Sequence, residues 1–112
     1  MHPAAAAVYY RDQMAGVLRR TAAGFEYGYD ATYLADPGAV PISRSLPLCA
    51  ERFESRDLFP FFDGLLPEGW LLAVTCAVAK IDEHDKFRLL VHTGADPVGA
   101  VSVRLLEGRD GA

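Results

Sequence analysis

At Asp57 the apolar residues of this chain change their spacing, and that change constrains the fold more than any other feature. Before it, Phe25, Tyr27 and Tyr29 alternate with Glu26 and Gly28, which places three aromatics on one face of an extended segment. After it, Leu58, Phe61, Phe62, Leu65 and Leu66 recur at intervals of three and four, the stripe of an α-helix. Strands first and helices second predict an α+β fold. The sheet is expected to be small and antiparallel or mixed, built from an N-terminal meander and a C-terminal strand, with about three helices from the second half packed on it.

Within the first half, Ala6 to Tyr10 and Met14 to Arg19 are β-compatible runs separated by Arg11-Asp12-Gln13, a spacing that suits a hairpin. Phe25 to Tyr29 completes the meander. Ala31 to Ala35 has room for one turn of helix before Asp36-Pro37-Gly38, because a residue preceding proline is pushed out of helical geometry. Ile42 to Leu48 then reads as an extended segment interrupted by Pro47, and residues 50–57 as a charged, solvated loop.

In the second half Asp57 is the expected N-cap of a helix running to Leu66, with Pro60 in its first turn. Pro67 ends that helix and can open the next, so Pro67-Glu68-Gly69 is a tight joint. The next helix, about Glu68 to Lys80, has no charged residue from Gly69 to Ala79. At about 1.5 Å per residue this run is far too short to cross a bilayer. A small domain has little interior in which to enclose such a helix, so part of it is expected to face a partner. A third helix is expected after Asp82, with Phe87, Leu90 and Val91 inward and the acids Asp82, Glu83 and Asp85 favourably placed at its positive end. Gly94 closes it, Val98 to Leu106 alternates as a final strand, and the tail from Glu107 is expected to fray.

A chain of 112 residues can bury enough surface to fold as one domain without metal or disulfide. Cys49 and Cys76 are too few for a metal site and are expected to be small buried hydrophobes. His84 and His92 have no companion at a ligand spacing and read as surface or capping residues. Residues 1–7 lack the charged start and long apolar stretch of a signal peptide, so a cytoplasmic location is expected. The net charge of −4, with eleven Lys and Arg scattered among fifteen acids, argues against direct nucleic-acid binding. The sequence holds no phosphate-binding glycine loop, His-Arg-Asp run or Gly-x-Ser-x-Gly elbow. Phe62-Asp63-Gly64 lies in a helical stripe and is not a kinase metal triplet. No catalytic residue, metal or cofactor is expected.

Several segments together resemble the N-terminal subdomain of HipA-type toxin kinases. Ser45-Leu46-Pro47-Leu48, the aromatic run Phe61-Phe62-Asp63-Gly64-Leu65-Leu66, Pro67-Glu68-Gly69, and Gly94-Ala95-Asp96-Pro97-Val98-Gly99-Ala100 follow that family's order, and the likeness extends from about Val8 to Leu106. The alanine run Ala4 to Ala7 departs from the family's first strand, leaving its pairing open. In full-length relatives the nucleotide-binding core begins just beyond this stretch, whereas here six residues follow Leu106. The resemblance implies a non-catalytic regulatory subunit similar to HipS of three-part HipBST modules: an antitoxin that binds and inhibits a HipT/HipA-like Ser/Thr kinase. The alternatives it leaves are a scaffold joining the kinase to a HipB-like helix-turn-helix repressor, or an N-terminal piece of a HipA-type kinase.

Where family members carry a polar or charged residue after Pro-Glu-Gly, this chain has Trp70. Two roles are open to it, a core tryptophan packed on Phe61 and Phe62, or an exposed interface anchor, tryptophan being highly enriched among binding hot spots. The position favours the anchor. Leu71, Val74 and Phe61 are the expected supporting contacts, with Glu68 in the joint beside them.

Overall fold

The computed structural model describes residues 4–94 and 100–106. Five strands form one antiparallel sheet: β1 (Ala4–Tyr10), β2 (Gln13–Thr21), β3 (Gly24–Tyr29), β4 (Phe53–Ser55) and β5 (Val101–Leu105), in the spatial order β4-β3-β2-β1-β5. The helices are α1 (Ala31–Ala35), α2 (Pro60–Asp63), α3 (Gly69–Ala79) and α4 (Lys86–Thr93). The α+β expectation, with meander and C-terminal strand, describes this architecture.

Register decides which residues enter the core. Val8 lies opposite both Gly16 and Val103, Leu18 opposite both Ala6 and Tyr27, and Tyr29 opposite Gly16. Because side chains alternate across a sheet, these residues share one face. The helices cover that face: Phe62 of α2 packs on Tyr27 with ring centroids 5.7 Å apart, and Phe87 and Leu90 of α4 join the same buried cluster. The opposite face is more polar, with Arg104 over the Tyr9 ring and Arg52 paired to Glu26.

The alanine run forms much of β1, which β2 and β5 flank on either side, and Ala6 and Ala7 are buried there. Small side chains suit a strand with both edges paired and with packed neighbours. A register shift between Val8 and Tyr9 leaves Ala15 with no residue opposite it on β1, and the β1–β2 turn is the expected tight one, with Arg11 at φ 57°.

Four expectations are corrected. Residues 50–57 are not all loop, since Phe53–Ser55 adds β4 to the sheet edge with Tyr27 opposite Phe53. At three residues and charged on both flanks, this edge strand is too short to leave a periodic signal. Ile42 to Leu48 is a chain of turns with a single bridge between Ser43 and Leu46, held by side chains rather than by a sheet ladder. The first long helix shrinks to α2. Phe59, preceding Pro60, is held extended at ψ 138°, so Asp57 caps nothing, and after Gly64 the chain continues in turns that leave Leu65 exposed. Pro67 does not start α3, which begins at Gly69 after Glu68.

Helix α4 also begins later than expected. The Asp82 carboxylate accepts the His84 amide at 2.8 Å and holds a turn, and Asp85 is the N-cap, accepting the Arg88 amide at 3.2 Å. Its buried residues are Phe87, Leu89 and Leu90, with Val91 only half-buried, so Leu89 was missing from the expected stripe. Gly94 does cap the helix, at φ −78°. The last strand is shorter than the segment Val98 to Leu106, and residues 95–99 of the Gly94-to-Ala100 motif, like the tail from Glu107, lie outside the described residues.

Candidate interaction surface on helix α3

Helix α3 differs from the others in having no fully buried residue. Its inward side is Leu72, Thr75, Cys76 and Ala79, each half-covered, at the 3-and-4 spacing of one helix face. Leu72 lines a cleft with Leu66, Pro67 and Leu89, where α3 meets the body of the fold. Its outward side carries Trp70, Leu71, Val74 and Val78, exposed to 78%, 49%, 46% and 79%. Both sides are apolar, so the inward one answers to the core while the outward one is left to solvent. The part of this helix expected to face a partner stands in solvent.

The local sequence builds this arrangement. Glu68 is extended at φ −130°, ψ 163°, and Gly69 follows at φ 58°, a left-handed conformation that turns the chain sharply into the helix. The joint therefore depends on Gly69, and Trp70 is the first large side chain after it. At the other end Lys80 is left-handed at φ 57°, and the Ile81 amide bonds the Cys76 carbonyl at 3.0 Å, turning the buried Ile81 inward.

Of the five residues singled out from sequence, Trp70, Leu71 and Val74 lie together on the outward face. Trp70 is too exposed to be a core residue. Glu68 is the exposed N-cap beside them, without a side-chain capping bond. Phe61 stands apart: it is half-buried on α2 and packs edge-on against Phe62 at 5.2 Å. Val78 was missed. It lies eight residues after Trp70 and four after Val74, a spacing that could have found it.

The other candidates settle into structural places. Cys49 and Cys76 are free and half-exposed, not buried as expected, because Cys49 sits in a surface turn and α3 is only half covered. His84 and His92 are exposed. Ser43 and Ser45 share a side-chain hydrogen bond of 3.0 Å within their turn. Asp85, read from sequence only as a favourable charge at a helix start, also pairs with Arg20 at 3.0 Å, and the Arg20 guanidinium lies over the Phe87 ring. Among the described residues no group of three or more His, Cys, Asp or Glu side chains is placed to hold a metal, and no helix is long and apolar enough to cross a membrane.

Comparison with known proteins gives a consistent picture. A family profile described as the HipA N-terminal domain matches residues 6–104. An uncharacterized protein of Haemophilus influenzae is 36% identical over 97 residues, which are 87% of this chain and 88% of that protein. The putative kinase Y4mE of Sinorhizobium fredii is 38% identical over 77 residues, 69% of this chain but 18% of the kinase, so the likeness covers less than a fifth of that protein. The solved N-terminal domain of HipA toxin superposes with a TM-score of 0.72 at 31% identity, covering 95% of both chains.

Proposed function

The chain belongs to the HipA N-terminal domain family, and from that premise we propose that it is a non-catalytic regulatory subunit, an antitoxin that binds a HipT/HipA-like Ser/Thr kinase and holds it inactive. The observation that carries this reading is the outward face of α3, where Trp70, Leu71, Val74 and Val78 stand in solvent on an uncharged helix. An exposed tryptophan set among aliphatic side chains has the chemistry of a binding hot spot, a large apolar anchor that gains by desolvation. The likeness to part of a putative kinase, and to a whole protein of nearly this length, supports a detachable subunit of a kinase system.

In the proposed mechanism the face docks on the small lobe of the kinase, and Trp70 acts as a wedge beside the nucleotide cleft. Phosphoryl transfer needs the phosphate-contacting loop ordered and the lobes closed, so a rigid aromatic group held between them stops catalysis without any chemistry of its own. Leu71 and Val74 complete the contact and Glu68 sets its edge, while Phe61 contributes only indirectly, by packing on Phe62 in α2.

Co-expression with a HipT-like kinase tests the proposal. The native chain should rescue growth and co-purify, while Trp70→Ala should leave the kinase toxic. Co-purification without rescue would replace inhibition by the scaffold role, in which the chain joins the kinase to a HipB-like DNA-binding protein.

A further inference from the structure

The two caps of α3 are charged, exposed and of opposite sign: Glu68 at the N-terminal end and Lys80 at the C-terminal end. Among the described residues neither takes part in an ion pair, whereas Arg20–Asp85, Arg52–Glu26 and Lys86–Asp63 are paired elsewhere in the fold. Between the caps no residue carries a charge. A helix with an acidic head, a basic tail and an apolar outward middle is complementary to a copy of itself turned end for end.

The register follows from the sequence. With Val74 as the midpoint, an antiparallel copy sets Trp70 opposite Val78, Leu71 opposite Ala77 and Glu68 opposite Lys80, each pairing occurring twice. The bulky Trp70 then meets the partner helix beside Ala77, whose small side chain lets the backbones approach. The reversal also opposes the two helix dipoles, while a parallel pair would put Glu68 on Glu68, Lys80 on Lys80 and like helix ends together. We propose that the chain, when free, forms a twofold antiparallel dimer through α3, an isologous contact of one surface with itself.

Four exposed apolar side chains per copy provide much less than the roughly 1,200 Å² of a standard stable interface, so the dimer is weak and depends on concentration. It uses the surface proposed above for the kinase, so the two associations exclude each other, and the dimer shields Trp70 from solvent until a kinase displaces the second copy. Only this competition rests on the kinase reading; the dimer itself does not.

Sedimentation of the full chain alone, over a wide concentration range, tests it without any kinase. The average mass should rise from one chain toward two, and the emission of Trp70, the only tryptophan, should move to shorter wavelength in step. Glu68→Lys and Lys80→Glu should each weaken self-association about tenfold, since two symmetric pairs become repulsive. An equimolar mixture of these two variants should restore it, because each then meets the opposite charge at both ends. Val78→Glu should abolish it while circular dichroism stays native. A monomer at every concentration, or a dimer indifferent to all three substitutions, would overturn the proposal.

Discussion

The Tyr29 hydroxyl donates a hydrogen bond to the Leu46 carbonyl and at the same time accepts the Ile42 amide at 3.0 Å. One side chain of the sheet thereby holds the segment that contains the Ser45-Leu46-Pro47-Leu48 run. Tyr33, stacked parallel to Tyr29 with centroids 6.0 Å apart, does the same for Val40, donating to its carbonyl at 2.6 Å. Removing the Tyr29 oxygen leaves a buried carbonyl and amide unpaired. Tyr29→Phe should therefore lower stability by about 1–3 kcal/mol in urea unfolding.

Tyr27 should behave in the opposite way. Its hydroxyl is buried with no hydrogen-bond partner among the described residues, against Gly16, where an added Cβ would lie 2.6 Å from the hydroxyl oxygen. Tyr27→Phe removes an unsatisfied group without opening a large cavity, so stability should be unchanged or higher by up to about 1 kcal/mol.

The same burial gives a pH dependence. Burial pushes the Tyr27 hydroxyl well above its ordinary value of 10.0, with the neighbouring Tyr29 and Tyr33 adding to the effect, and burial also raises Tyr29. Above about pH 10 the unfolded chain releases these protons while the native state retains them. The contribution to stability is therefore complete below that pH and falls as pH rises beyond it. Urea midpoints measured from pH 8 to 11.5 should decline only in the upper part of the range, and less steeply in Tyr27→Phe.

Asp85 serves two elements, capping α4 through the Arg88 amide and pairing with the half-buried Arg20 on β2. Asp85→Ala should cost about 2 kcal/mol, since both the cap and one ion pair of Arg20 are lost. Asp85→Asn keeps a capping acceptor and should recover about half of that loss, which paired thermal melts would resolve.

Trp70→Ala should change stability by less than about 0.5 kcal/mol, as expected at an exposed site, whereas Phe62→Ala should cost about 3–5 kcal/mol. Gly69→Ala should cost about 1–2 kcal/mol through its left-handed backbone alone, because nothing lies within 4 Å of the added Cβ. Equal losses at Trp70 and Phe62 would place the tryptophan in the core.

Residue patterns alone were enough for the class of the fold, the tight β1–β2 hairpin, the aromatic face of β3 and the uncharged helix with Trp70 at its head. All of these are local: alternation at period two, a stripe at intervals of three and four, and a run without charge each mark an element from its own residues. Features that depend on distant partners emerge only once the chain is packed. Phe53–Ser55 becomes a strand only because β3 offers an edge, and residues 42–46 are turns because Tyr29 supplies the hydrogen bonds that a ladder would have given. Asp85 caps α4 where Arg20 of β2 meets it. The exposure of Trp70 was of the same kind: an apolar helix shows from its sequence that something must cover it, but which side the core covers is set only when α3 lays Leu72 and Cys76 inward and leaves Trp70, Val74 and Val78 outside.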